Sequence, residues 1–116
     1  MVSGDPVWVS VCHGLACQRR TGSAFAEQAR FARSEVAVTG HGTDFVRIGD
    51  EGGRSTFTFC PTCGSTVFYV MAGREELIAI PVGAFADPNF PAPTFSVYQD
   101  RMHRWIKMPE DMEHMA

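Results

Sequence analysis

The sequence lacks the features of several common classes of protein. No apolar run approaches the eighteen or so residues of a membrane-spanning helix, and no basic and then apolar secretion signal follows Met1. Lys and Arg are not clustered, and the formal net charge is −3. Nucleic acids and membrane surfaces both reward clustered positive charge, so neither is expected as a partner. We therefore expect a cytoplasmic protein.

Motifs of several enzyme classes are also missing. There is no glycine-rich phosphate loop, no nucleophile elbow and no pair of carboxylates in a catalytic arrangement. His41, His103 and His114 are isolated, and a lone histidine is usually a surface or a satisfied residue. The 116 residues, of which 45% are apolar, suffice for one domain with one continuous core.

Strand patterns dominate what the sequence does contain, and they predict a mainly β protein with little helix. The predicted strands are 7–11, 55–59, 66–71, 77–82, 95–98 and 105–106. Two hairpin turns (49–54 and 72–76), an irregular proline-rich loop (87–93) and a loosely held tail (109–116) are also expected. Residues 23–38 favour a helix by propensity, although two short strands broken at 33–35 suit the pattern as well.

Cys60 and Cys63 form the motif Cys-Pro-Thr-Cys-Gly between two predicted strands. Two thiols at this spacing can both point at one metal ion from a tight turn, and Gly64 can take the positive φ that such a knuckle often requires. This zinc-ribbon-like arrangement indicates a zinc site. The alternative is a pair of buried or redox-active thiols, although a thioredoxin-like motif would open a helix rather than precede a strand.

Cys12 and Cys17 form a second pair, with His13 as a further potential ligand. Their four-residue gap lies at the edge of zinc-knuckle spacings. Alternatively, Cys12 is a buried residue that ends a strand, and Cys17 is a reactive thiol without metal. The two pairs together could also form one closed tetrahedral zinc site that contributes folding free energy. In a reducing compartment, metal ligands or reactive thiols are favoured over disulfides.

The run CHGLACQRRTGSAF, which starts at Cys12, closely resembles a segment of the glutathione-dependent formaldehyde-activating enzymes. That superfamily also includes the centromere protein V type. Three further segments agree in the same order. They are FCPTCGSTVFY from Phe59, VGAFADP from Val82, and Trp105 with the MPED that starts at Met108. Together the matches cover about residues 7–111.

The resemblance implies a β-tent of stacked antiparallel sheets in a single domain over residues 1–116, with a strand rather than a helix at 26–31. It implies two zinc sites and a carbon–sulfur lyase activity that condenses glutathione with formaldehyde. Cys12 and Cys17 would be catalytic zinc ligands, with His13 in place of a missing thiol. Cys60 and Cys63 would be structural zinc ligands. The turn at 21–23 would form a wall of the pocket.

This chain departs from the family pattern at two places, and each departure removes expected cysteine ligands from one of the two zinc sites. The family's first Cys-x-Cys would lie before Met1, which leaves Cys60 and Cys63 without two expected partners. Gly14 occupies the place of the middle cysteine of the catalytic motif. Each pair is therefore expected as a half-site that water, another side chain or a second chain would have to complete. An edge strand exposed by the missing hairpin would also favour a homodimer.

Two classes of function follow. The first is a zinc-dependent enzyme that adds glutathione or another thiol to formaldehyde or a related aldehyde. A metal-free variant of it would use Cys17 as the nucleophile, if Arg19 or Arg20 lowers the pKa of that thiol. The second is a non-catalytic binding or scaffold module with one structural zinc or no metal. Chromatin or microtubule binding would need basic segments that this chain lacks.

Overall fold

Short runs of apolar and polar residues form eight strands in the computed structural model, which describes residues 1–49 and 52–115. The strands are β1 (Trp8–Cys12), β2 (Ala26–Ala32), β3 (Thr43–Ile48), β4 (Arg54–Phe59), β5 (Thr66–Met71), β6 (Leu77–Pro81), β7 (Phe95–Val97) and β8 (Glu113–Met115). The described helices are α1 (Leu15–Thr21) and three short 3-10 helices, Arg33–Glu35, Val82–Phe85 and Gln99–Arg101. The expected mainly β fold with little helix is confirmed. None of the helices in the described residues is long and apolar enough to cross a membrane.

The strands join into one hydrogen-bonded sheet in the order β3-β4-β5-β6-β2-β1-β7-β8. Pairing is antiparallel from β3 to β1, whereas β7 runs parallel to β1 and β8 runs parallel to β7. The resemblance implied stacked antiparallel sheets. In this chain the layers come from one continuous sheet whose far end is parallel.

The period of two along each strand separates the residues of this sheet into two faces. On one face lies the main core, a cluster of buried apolar side chains. They are Val9, Ala29, Phe31, Val36, Ile78 and Ile80. Ser10, Cys12, Gln28 and Arg30 alternate with these core residues on β1 and β2, so their side chains lie on the opposite face. The central strands therefore carry polar and reactive groups on the face that the main core leaves free.

A smaller cluster of Phe57, Tyr69 and Ala79 lies on that opposite face. The rings of Phe57 and Tyr69, which are register partners on β4 and β5, have centroids 4.7 Å apart. Arg20 of α1 reaches this cluster, and its guanidinium carbon lies 4.7 Å from the centroid of Phe57. Since α1 follows β1, which lies four positions from β4 in the sheet, the sheet must curve until its two halves face each other.

Residues 23–38 show where propensity fails. The structure places strand β2 at Ala26–Ala32, so the helix favoured by composition is wrong and the strand implied by the resemblance is confirmed. Ala29 and Phe31 enter the core while Gln28 and Arg30 face away, which is a strand periodicity. Packing against β1 and β6 outweighs the helical preference of Ala, Glu, Gln and Arg.

For the other segments, the outcome of the prediction depended on the long-range contacts that each segment makes. Trp105 lies in a turn rather than in the strand predicted at 105–106. Strand β3 was not predicted. The tail, which was expected to be loosely held, contributes β8, which pairs with β7. Met112 is buried just before β8 and anchors that segment. The turn at 72–76 and the loop at 87–93 are confirmed. Gly49 N–H donates to the Gly53 carbonyl in the β3–β4 hairpin, while positions 50 and 51 of that predicted turn lie outside the described residues.

Candidate active site

A cleft of about 640 Å³ opens on the sheet face opposite the main core. This volume lies within the range of roughly 300–1,000 Å³ that is typical of small-molecule sites. Residues from both halves of the curved sheet line it. The reactive and polar ones that matter below are Ser10, Cys12, Cys17, Gln28, Arg30 and Arg47. Aromatic side chains, among them Trp8, Tyr69 and Tyr98, supply much of the remaining wall.

Helix α1 brings Cys17 back to Cys12. Cys12 is the last residue of β1 and is buried, and α1 begins after Gly14. Gln18 N–H donates to the Gly14 carbonyl at 3.0 Å, which closes the first helical turn. Both thiols consequently face the same cleft although four residues separate them.

The pKa values of the two thiols are shifted in opposite directions. The thiol of Cys12 hydrogen-bonds to the Cys17 sulfur, and this lowers the pKa of Cys17 to about 6 while Arg47 and Arg20 add to the effect. The same hydrogen bond, together with burial, raises the pKa of Cys12. The arrangement therefore favours the thiolate at Cys17 and the protonated thiol at Cys12.

Two arginines flank the thiol pair from opposite parts of the chain. Arg20 comes from α1 and Arg47 from β3, and both guanidinium carbons lie within 5.0 Å of the centroid of Phe57. Arg47 Nη1 and Arg20 Nε are buried without a hydrogen-bond partner among the described residues. These cations favour the thiolate form of Cys17, and they keep donors available for an anion.

Tyr69 adds a neutral donor to the site. Its side chain is buried and lines the cleft, and burial raises the pKa of the phenol. The charges of Cys17 and Cys12 act on this pKa in the same direction, which reflects their proximity to the ring. The phenol therefore keeps its proton at neutral pH and can donate it in a hydrogen bond to a developing oxyanion.

His13 does not join the thiols in the cleft. It follows the end of β1, is fully buried, and packs against Phe25 with ring centroids 6.0 Å apart. Neither ring nitrogen has a partner among the described residues. Burial and the nearby His103 lower its pKa, which favours the neutral imidazole. The structure thus separates His13 from Cys12 and Cys17, the residues with which the sequence grouped it.

The segment at 21–23 ends α1 and is not part of the cleft lining. Thr21 Oγ1 donates to the Cys17 carbonyl at 2.9 Å. Gly22 takes the left-handed conformation with φ of 66° and donates its N–H to the Gln18 carbonyl. The pocket wall expected at this turn is therefore wrong. The turn instead fixes the helix that carries Cys17.

Cys60 and Cys63 occupy the turn between β4 and β5, outside the cleft. Cys60 N–H donates to the Ser65 carbonyl at 2.8 Å, and Gly64 has the expected positive φ, 78°. Cys63 is exposed, and its Sγ lies 3.4 Å from Ser65 Oγ. That hydrogen bond lowers the pKa of Cys63, because a hydroxyl can donate to a thiolate. The tight turn and the positive φ of Gly64 that the motif predicts are confirmed.

The described residues do not fit the zinc sites that the sequence suggested. Among them, no group of three or more Cys, His, Asp or Glu side chains is arranged to hold a metal ion. A single site made by all four cysteines is therefore wrong. Structural zinc takes four protein ligands and catalytic zinc takes three, whereas each cysteine pair offers two.

The curved sheet and its thiol pair define a mainly β protein with a reactive dithiol cleft. The family model for the glutathione-dependent formaldehyde-activating enzyme matches residues 1–101, and the chain belongs to this family. The match spans both cysteine pairs and all the cleft residues named above. No curated protein matches the chain.

Several cleft residues escaped the sequence analysis. Gln28 and Arg30 could have been found, because Ala29 and Phe31 alternate with them and predict the opposite face for them. Arg47 gave no signal, since β3 itself was not predicted. Of the two arginines considered beside Cys17, Arg20 points toward the thiols and Arg19 is exposed.

Proposed function

We propose that this chain adds a thiol such as glutathione to a small aldehyde such as formaldehyde, and that Cys17 captures the aldehyde. The observation that carries the proposal is the placement of Cys17 next to Cys12 in a cleft of suitable size, with Arg20 and Arg47 near enough to lower the pKa of its thiol. The family supplies the two substrates.

In the first step, the Cys17 thiolate attacks the carbonyl carbon of the aldehyde. The π electrons of the carbonyl move to oxygen, where Tyr69 and Arg47 can stabilise the developing charge. Cys12 then transfers its proton to that oxygen. The products are a hemithioacetal on Cys17 and a thiolate on Cys12, whose charge Arg47 also favours.

In the second step, the Cys12 thiolate takes the proton of the bound thiol substrate. The carbonyl re-forms, the carbon–sulfur bond breaks and Cys17 leaves as a thiol that carries the hydroxyl proton. The substrate thiolate then adds to the carbonyl carbon, and Cys17 transfers its proton to the new oxygen, which restores the Cys17 thiolate and the protonated Cys12. The sum is thiol plus aldehyde to S-hydroxyalkyl thiol, without oxidation or reduction. A reducing compartment such as the expected cytoplasm would keep both cysteines available.

The zinc implied by the resemblance has no part in this sequence of steps, because each cysteine pair supplies only two ligands. Completion of a zinc site by a second copy of the chain remains a prediction. It requires a dimer whose formation depends on zinc, which light scattering with and without the metal would detect.

The experiment uses two-dimensional NMR to measure the rate of exchange between glutathione and S-hydroxymethylglutathione. The exchange rates with and without the protein are compared because the uncatalysed reaction is also appreciable. We expect catalysis that survives a chelator and falls at least about 100-fold in Cys17→Ser. Cys60→Ser is the matched control and should retain the rate. Bound zinc per chain is determined on the same preparations.

Two results would contradict the proposal. Catalysis that disappears on chelation and returns with zinc would assign the reaction to the metal. No catalysis by the unmodified protein, with or without zinc, would favour the non-catalytic binding or scaffold module.

A further inference from the structure

Three polar side chains on β1 and β2 line the cleft and have no part in the chemistry above. They are Ser10 on β1 and Gln28 and Arg30 on β2. Ser10 and Gln28 are register partners, and Ser10 precedes Cys12 by two residues. Residues two apart on a strand lie about 7 Å from each other on the same face, so the three side chains lie close to the thiols.

Hydrogen bonds connect these three residues and leave two polar groups unused. Gln28 Nε2 donates to Ser10 Oγ at 2.7 Å, and Arg30 Nη1 donates to the same oxygen at 3.1 Å. The Ser10 oxygen thus accepts two hydrogen bonds, so its own proton is free to be donated. Gln28 Oε1 is buried and has no partner among the described residues. Ser10 and Gln28 are each only 3% exposed.

Buried polar groups without partners are costly, and the cost is relieved when a ligand satisfies them. The free groups of this cluster differ in kind, since Ser10 offers a donor and Gln28 offers an acceptor. A ligand that satisfies both must itself present an acceptor beside a donor.

Arg30 adds a positive charge that is already oriented. Its guanidinium carbon lies 5.6 Å from the ring centroid of Trp8 and 5.9 Å from that of Tyr69. Its other terminal nitrogen contacts Met71 Sδ at 3.8 Å, and it forms no salt bridge within the described part of the chain. Aromatic stacking thus fixes the guanidinium without neutralising it, as binding of a carboxylate requires.

We propose that Ser10, Gln28 and Arg30 form a subsite for a carboxylate with an adjacent N–H donor, which is the end group of an amino acid or a short peptide. Arg30 and the Ser10 hydroxyl bind the carboxylate, and Gln28 Oε1 accepts from the N–H group. A simple anion such as inorganic phosphate would leave Gln28 unsatisfied. The subsite deepens the proposed function, on which it rests, because it would select peptide-like thiols over neutral ones.

The test is calorimetric titration with S-methylglutathione, whose blocked sulfur cannot add to an aldehyde. Its dimethyl ester, in which both carboxylates are capped, is the comparison ligand. We expect the acid to bind at least about tenfold more tightly than the ester, which corresponds to about 1.4 kcal/mol, because a carboxylate accepts charge-assisted hydrogen bonds that an ester does not. This comparison uses the unmodified protein and does not depend on the folding of any variant.

Variants then identify the residues that cause the preference for the acid over the ester. Arg30→Gln should abolish the difference between acid and ester, while Arg19→Gln, the same charge change at an exposed position, should preserve it. Gln28→Met should weaken binding of the acid several-fold, and inorganic phosphate should not displace it. Circular dichroism confirms the fold of each variant.

Equal affinity for acid and ester, no binding of either, or an acid preference that survives in Arg30→Gln would overturn the subsite. The proposed function fails separately. Acid-selective binding without catalysis would reject the reaction and keep the subsite. Catalysis that treats 2-mercaptoethanol and glutathione alike, with no binding of S-methylglutathione, would reject the subsite and keep the reaction.

Discussion

The two cysteine pairs of this protein differ both in spacing and in surroundings. Cys12 and Cys17 lie in a cleft between facing halves of a curved sheet, where one thiol donates to the other and two arginines approach. Cys60 and Cys63 lie on the β4–β5 turn, where Cys63 is exposed and where the Ser65 hydroxyl, followed by Cys60, lowers the pKa of its thiol.

This comparison shows that spacing specifies where thiols can meet, whereas their surroundings specify what they can do. In both pairs one thiol lowers the pKa of the other. The first pair also has a buried proton donor, two cations and a cavity for substrate. The second has a tight turn and solvent. The following experiments test this difference, in order of decreasing expected effect.

The largest effect is expected from Gly14→Cys, which restores a thiol beside the first pair. Gly14 has φ of −57° and ψ of 144°, which any L-residue can adopt. A Cβ there would lie 3.4 Å from Cys12 Sγ and from Tyr98 Cδ2, so only a small adjustment is needed. A third thiolate should raise zinc affinity at least about 100-fold, measured by competition with a chromophoric chelator. Gly14→Ser is the size-matched control, and equal zinc affinity in the two variants would contradict the prediction.

The second largest effect is expected in the rate at which Cys17 is alkylated. At pH 6 we expect iodoacetamide to alkylate Cys17 about tenfold faster than a thiol of the unfolded chain. A pKa of about 6 raises the thiolate fraction about 100-fold over an ordinary thiol, while lower intrinsic nucleophilicity removes about tenfold of that gain. The rate should rise with pH around 6 and level off above about 7. Peptide mass spectrometry locates the label, and a midpoint between 8 and 9 would show that Cys17 is an ordinary thiol.

A smaller shift is expected when one cation is removed. Arg47 stabilises the thiolate, so Arg47→Gln should raise the pKa of Cys17 and move the alkylation midpoint upward by about one pH unit. Arg19→Gln serves as the control because Arg19 is exposed and makes no recorded contribution to the thiol. An unchanged midpoint in Arg47→Gln would mean that the Cys12 hydrogen bond and Arg20 set the pKa of Cys17 without Arg47.

The smallest effect is expected at the second pair. Ser65→Ala removes the hydroxyl that hydrogen-bonds Cys63 and should raise the pKa of that thiol toward its ordinary value. Because Cys63 is exposed and water can replace the hydroxyl, the alkylation midpoint should move less than in Arg47→Gln. The profile of Cys17 provides the internal control. A shift as large as that of Arg47→Gln would remove the distinction between the two pairs.

Much of the fold was accessible from the sequence, because strand periodicity and turn residues are local. The bounds of β5 and the positive φ of Gly64 agree with the prediction. β3 escaped because it is an edge strand whose Phe45, Val46 and Ile48 remain exposed, so no buried face produces an alternating signal. β8 escaped because its short polar segment becomes a strand only by pairing with β7.

The features of the candidate site likewise fall into those that the sequence predicts and those that depend on the tertiary structure. The sequence by itself determined the thiols, the knuckle at Cys60 and Cys63, and the family resemblance, since these depend on residue type and local spacing. Only the tertiary structure decided that His13 lies outside the cleft that holds Cys12 and Cys17. It also decided that Arg47 from β3 meets Cys17 from α1. The physical reason is that the curvature of the sheet brings these distant segments together, and curvature arises from long-range strand pairing and packing that no local pattern records.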